Sequence, residues 1–208
     1  AAVTPSTEAL DNVRTTASSH HRVMTVEVMG RNAGWIALWA GAAGGADVIL
    51  IPEIAFNIDK VCEVCVARSK HHKAYTLIAI GEGAKPVGGR QTVDRIVHES
   101  PDPVRLGGVS EVLSDEIAKR TQLETRAVIL GHVQRGGTPT AQDRVLGTKL
   151  GFTAAKMAVE GTFGRMAAIQ RGEITSVPLE EVADKQRLIP PDHPLLLACR
   201  ATGTSFGD

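Results

Sequence analysis

Runs of apolar, often β-branched residues recur along the chain, each followed by a longer stretch of helical character. Residues 5–17 read as a helix, with Thr4 as its N-cap and Pro5 at its first position. Residues 23–29 (VMTVEVM) form a mostly apolar run that predicts a buried strand. Residues 35–43 follow as a small-residue helix, with Trp35 and Trp39 four apart on one face and Gly44-Gly45 at its end. The alternation continues with a strand at 47–52, a helix at 57–69 and a strand at 75–80. Residues 81–103 are rich in Gly and Pro and read as loop. A helix over 104–120, a strand at 125–130 and a helix over 140–159 come next. Two short strands, 166–170 and 173–177, pair around Gly172. Residues 178–184 make one or two helical turns, and 193–201 a last helix.

Strands separated by helices of ten or more residues predict an α/β fold: a three-layer sandwich with a mainly parallel sheet covered by helices on both faces. Ligands of such folds sit at the carboxyl ends of the strands, so the residues just after each strand carry the information. Composition narrows the classes. The 208 residues are 43% hydrophobic and 22% charged, enough to bury a core without disulfide or metal staples. Lys+Arg and Asp+Glu are both 23, a balance that argues against a general nucleic-acid binder. No apolar run approaches the roughly 18 residues of a membrane span, and no signal peptide is evident, so the expectation is a cytoplasmic protein without membrane partners. Cys62, Cys65 and Cys199 are an odd count. Cys62 and Cys65 have C-x-x-C spacing, but on a helix, with no second pair to complete a zinc site, and they read as core thiols. The chain begins at Ala1 and runs straight into a helical pattern, as if cut from, or numbered from inside, a longer one.

Three strand-ending loops stand out: Gly30-Arg31-Asn32-Ala33-Gly34, Gly81-Glu82-Gly83-Ala84, and Gly131-His132-Val133-Gln134-Arg135-Gly136-Gly137-Thr138-Pro139. Arg22 precedes one strand and Arg126 lies within another. Taken singly, each has an ordinary explanation: a salt-bridged arginine, a loop histidine, a helix-capping glutamate. Four guanidiniums and an imidazole brought to one crevice would repel one another unless an anion lay between them, and arginine's planar fork suits phosphate. A carboxylate such as Glu82 suits sugar hydroxyls. The set Arg22, Arg31, Glu82, Arg126, His132 and Arg135 therefore points to a sugar phosphate. The usual nucleotide loops, G-x-x-x-x-G-K-[ST] and a strand-to-helix G-x-G-x-x-G, are absent from these residues.

Several ordered motifs resemble the 6-phosphofructokinase family (family A): residues 9–22, 26–31 (VEVMGR), 44–53 (GGADVILIPE), 81–83 and above all 131–140 (GHVQRGGTPT) with 143–146 (DRVL). The resemblance covers most of the chain to about residue 160. It implies that His132 and Arg135 hold the 6-phosphate of fructose 6-phosphate, and that Arg22 and Arg126 reach it from a neighbouring subunit. Met29 and Gly30 would line the sugar, Glu82 would accept its hydroxyls, and Arg31 would stabilise charge on the phosphoryl group in transfer. It further implies glycolytic phosphoryl transfer to the 1-hydroxyl with Mg2+, in a homo-oligomer (dimer or tetramer) with shared sites. ATP is the expected donor and pyrophosphate the alternative. Arg14, Gly45, Asp47 and Lys73 fall where some members bind a nucleotide effector, although His71 stands where a basic residue is expected.

The family's donor loop with its G-G-D motif, and the T-I-D-N-D stretch whose aspartate is the catalytic base and helps hold magnesium, are not found in these residues. No metal ligand is therefore expected here. Residues 1–135 are expected to form the sugar-phosphate-binding domain, 136–187 a segment returning to the donor domain, and 188–208 a C-terminal tail and helix. The isolated 208 residues are expected to be inactive, because both proximity to a donor and the base would be missing. The apolar face of the helix bearing Val145, Leu146, Leu150 and Phe152 should be exposed. Two rival readings are a non-catalytic sugar-phosphate-binding module, separated by whether upstream sequence holds the donor loop and base, and a structural subunit, which should have lost members of the cluster.

Overall fold

Val23–Val28 forms β1, and every one of its six residues is buried, as its apolar composition requires of a central strand covered on both faces. It lies between β3 (Thr76–Gly81) and β6 (Thr125–Ile129), with β2 (Val48–Leu50) outside β3. All three pairings are parallel, with Val23 opposite both Thr76 and Thr125. This computed structural model describes residues 1–18, 22–70, 75–96 and 103–208.

Side chains alternate across the sheet and split the interior into two cores. Met24, Val26 and Val28 point to one face, with Leu77, Ala79, Ile49 and Ile51. That face is covered by α1 (Val3–Ser18) through Leu10, α2 (Trp35–Ala43) through Leu38, and α7 (Pro194–Ala201) through Leu196. Val23, Ile78 and Ile80 point to the other face, against α3 (Ile58–Lys70) through Val61 and Cys65 and α4 (Val109–Thr121) through Leu113 and Ile117. The expected three-layer sandwich around a parallel sheet is what forms. Cys62 and Cys65 belong to this second core as free thiols, and burial pushes Cys65 up to about 12 and raises Cys62 and Cys199 as well.

Several boundaries differ from the sequence reading. α1 begins at Val3, so Thr4 is inside the helix rather than its cap. Pro5 still falls in the first turn, where its missing N–H costs nothing. The expected helix over 104–120 begins at Val109 instead. Val104–Leu106 is a strand, β5, paired antiparallel with β4 (Val93–Ile96), which lies in the stretch read as loop. Gly107 and Gly108 separate strand from helix with φ of 157° and 80°, values no helix accommodates.

The chain divides into two compact units, residues 2–136 with 188–208, and residues 137–187 with Ala1. In the first, the C-terminal residues continue the sheet edge: Ile49 N–H donates to Ser205 O and Ser205 N–H to Asp47 O, while Phe206 is fully buried. In the second, α5 (Ala141–Val159) is capped by Thr140 and Asp143 in a reciprocal box and faces a hairpin of β7 (Arg165–Gln170) and β8 (Glu173–Pro178). α5 has no buried residue, and Phe152 is 71% exposed. A single turn, α6 (Leu179–Val182), follows β8.

Candidate functional site

The carboxyl ends of β1, β3 and β6 open onto a cleft of about 300 Å³, at the lower end of the size of small-molecule sites. Of the residues expected there, Met29, Glu82 and His132 line it. Gly30 is tied in through its N–H, which donates to Glu82 Oε1 at 3.3 Å. Burial raises the Glu82 carboxyl above its ordinary range. The Gly30 amide opposes that rise, Glu27 adds to it, and the Arg135 and Arg31 guanidiniums pull it back. Arg31 Nη1 also donates to Val104 O of β5 at 2.9 Å.

Arg22 and Arg126 do not join this cleft within the chain. Both lie near the amino ends of their strands, a strand length of about 20 Å from Glu82's end of the sheet. There they share one carboxylate: Arg22 Nε is 2.9 Å, and Arg126 Nη2 2.8 Å, from Glu124 Oε1. Within one copy of the chain the charged groups therefore stand apart. A single copy of the chain makes two separate groups, because parallel strands carry residues at their two ends to opposite edges of the sheet.

The effector candidates are partly brought together. Arg14 lies over Gly45, its Nη1 3.5 Å from where a Cβ there would stand, while its Nη2 pairs with Asp11. Asp47 is occupied within the fold: its carboxylate accepts the Leu77 N–H at 2.9 Å and meets Arg68 at 2.8 Å. Those contacts give Asp47 a structural task. Lys73 and His71 lie outside the described residues.

Four residues not singled out from the sequence shape the site. Glu27, on β1 and only 3% exposed, accepts the N–H groups of Gly108 and Ser110 at 3.1 and 3.0 Å and the Ser110 hydroxyl at 3.0 Å. It anchors the N-terminus of α4, where a carboxylate also meets the positive end of the helix dipole. Gln134, buried in the 3-10 turn Gly131–Arg135, accepts the Met29 N–H at 3.1 Å and the Ser6 hydroxyl at 3.0 Å. It donates to Gly131 O at 3.1 Å, so one amide registers β1 against the turn that carries His132 and Arg135. Asp94 and Glu111 complete the cleft wall from β4 and α4. The available signal was Glu27 itself, a carboxylate in an otherwise apolar strand that must find donors when buried.

Among the described residues, no group of three His, Cys, Asp or Glu side chains is arranged to hold a metal ion. None of the described helices is long and apolar enough to cross a membrane.

Residues 1–158 match the family model described as Phosphofructokinase. The chain is 44% identical over 203 residues to ATP-dependent 6-phosphofructokinase 2 of Clostridium perfringens, covering 97% of this chain and 56% of that protein. It is 50% identical over 193 residues to the pyrophosphate–fructose 6-phosphate 1-phosphotransferase of Amycolatopsis methanolica, covering 92% and 56%. Among solved structures it resembles phosphofructokinase from Saccharomyces cerevisiae with a TM-score of 0.71 and 36% identity, over 86% of this chain and 23% of that one. A pyrophosphate-dependent phosphofructokinase from Marinobacter aquaeolei gives a TM-score of 0.71 at 26% identity, over 91% and 47%. The chain spans a little over half the length of these curated relatives.

Proposed function

The chain belongs to the phosphofructokinase family, and on that premise we propose that it forms the sugar-phosphate half of a 6-phosphofructokinase. The reaction is transfer of a phosphoryl group to the 1-hydroxyl of fructose 6-phosphate. The observation that carries this reading is the cleft at the strand ends, where a half-buried Glu82 stands with Met29 and His132. A carboxylate there accepts sugar hydroxyls. His132 and Arg135 share one 3-10 turn and together supply donors for the 6-phosphate. Arg31 supplies positive charge for the phosphoryl group in flight.

Arg22 and Arg126 serve a neighbouring copy. Their position at the far end of the sheet, paired through Glu124, supports a site completed across a subunit interface. ATP is the donor in this reading. The 50% identity to a pyrophosphate-dependent relative supports pyrophosphate as the second reading. Mg2+ is the cofactor in this reading, and among the described residues no group of three His, Cys, Asp or Glu side chains is arranged to hold it. Residues 137–187 are assigned to the donor domain, for which the largely exposed α5 is the support.

The test is a coupled assay on the intact protein, with ATP and pyrophosphate compared as donors. Arg135→Ala should raise the fructose 6-phosphate KM by roughly 30- to 1,000-fold, equivalent to about 2–4 kcal/mol for a phosphate left without its guanidinium. An unchanged KM would remove Arg135 from the site.

A further inference from the structure

We propose that Gln91 is a positioning residue for Arg31, an inference that rests on reading the cleft as a sugar-phosphate site. Two site loops press together beneath it. Gly83 N–H donates to Gly30 O at 3.3 Å. Gly83 sits so close to Arg31 that a Cβ on it would stand 1.7 Å from the Arg31 carbonyl oxygen. The carbonyls of Arg31 and Gly83 therefore lie within reach of one donor group, and the Gln91 side chain is that group. Its Nε2 donates to Arg31 O at 2.8 Å and to Gly83 O at 3.0 Å. An amide NH2 has two hydrogens, so each carbonyl receives its own.

The geometry gives this clamp a consequence for the site. Arg31 is held at both ends by one excursion of the chain: its carbonyl by Gln91, and its guanidinium by Val104 O of β5. On the other loop, Glu82 immediately precedes Gly83, and its carboxylate accepts the Gly30 N–H. Gln91 thus sets the spacing between the guanidinium that meets the phosphoryl group and the carboxylate that holds the sugar. It needs to touch neither ligand. A misplacement of about 1 Å at such a group costs on the order of 100-fold in rate.

The experiment is a double-mutant cycle in the intact protein, with fructose 6-phosphate and whichever donor supports turnover. Gln91→Met removes both N–H groups at nearly constant volume. It should lower kcat roughly tenfold while KM for the sugar phosphate stays within about threefold. In an Arg31→Ala background the same change should cost less than about twofold, because the group it positions is gone. Gln91→His keeps a single neutral N–H donor at similar reach and can serve only one of the two carbonyls, so its kcat should fall between those of Gln91→Met and the parent. Equal losses in both backgrounds, or full kcat in folded Gln91→Met, would overturn the proposal. Should Gln91→Met fail to fold, Gln91→His in both backgrounds decides: a kcat loss of about threefold or more that disappears in the Arg31→Ala background supports the clamp, and an equal loss in both backgrounds, or none in either, rejects it. No turnover by the unsubstituted protein would sink the sugar-phosphate reading instead, and the inference with it.

Discussion

Glu27→Gln is a one-atom-type change that separates two physical accounts of the cleft's inner wall. The carboxylate is 3% exposed and takes three donors, the Gly108 and Ser110 amides and the Ser110 hydroxyl. Glutamine keeps one oxygen and turns an NH2 group toward donors that the second oxygen satisfied. The loss of a charge-assisted hydrogen bond is about 1.5–3 kcal/mol. Removing the negative charge that faces the first turn of α4 adds about 0.3–1 kcal/mol. Against this stands the desolvation cost of a buried carboxylate, which the neutral amide relieves. The two losses together come to about 2–4 kcal/mol and relief of desolvation offsets part of them, so the net expectation is a destabilisation of about 1–3 kcal/mol. Hydrogen exchange reads this where it acts: protection of the first-turn amides of α4 should fall roughly 5- to 150-fold. Protection within about threefold of the parent would mean that desolvation cancels the hydrogen bonds and that Glu27 does not anchor the helix. Ser110→Ala should be strongly non-additive with it, since both changes break the same contact.

Burial raises the folded-state value of Glu82 above its unfolded one, so stability falls as pH rises from the ordinary carboxylate range through the raised value. Glu82→Gln should therefore raise the thermal midpoint at neutral pH while weakening fructose 6-phosphate binding. The KM increase on acidification, which sets in above the ordinary carboxylate range in the parent, should vanish in the variant; a KM profile that the substitution leaves unaltered would remove Glu82 from sugar recognition. Cys65, pushed up to about 12 by burial, is a protonated core thiol. At pH 8 it should resist iodoacetamide in the native protein and react once unfolded, and native labelling at Cys65 in peptide mass mapping would contradict its place in the core.

How far the sequence reaches is clearest at particular elements. Residues 23–29 announce β1 because a strand buried on both faces is mostly apolar, and its two buried polar residues, Thr25 and Glu27, find hydrogen-bond partners in the fold. The capping box at Thr140 and Asp143, the hairpin around Gly172 and the C-terminal helix likewise rest on local chemistry that neighbouring residues complete among themselves. The strand-end rule pointed to Glu82 and His132, which line the cleft, because parallel strands deliver the residues after their carboxyl ends to one edge, while Met29 was singled out only by the family resemblance. Local rules failed where an element's state depends on a partner outside it, whether near or far along the chain. Val104–Leu106 is a strand only because β4 pairs with it, and as a lone tripeptide before a helical pattern it has no strand signal of its own. Glu27 finds its donors 81 and 83 residues away, and Gln134 reaches back 105 residues to Met29. Arg22 and Glu82 look alike in sequence, each a charge beside a strand, yet the direction of β1 and β3 sends them to opposite ends of the sheet. A residue's type and spacing determine what it is able to bind, while only the folded sheet decides which such residues meet, because that depends on strand order and direction and not on distance along the chain.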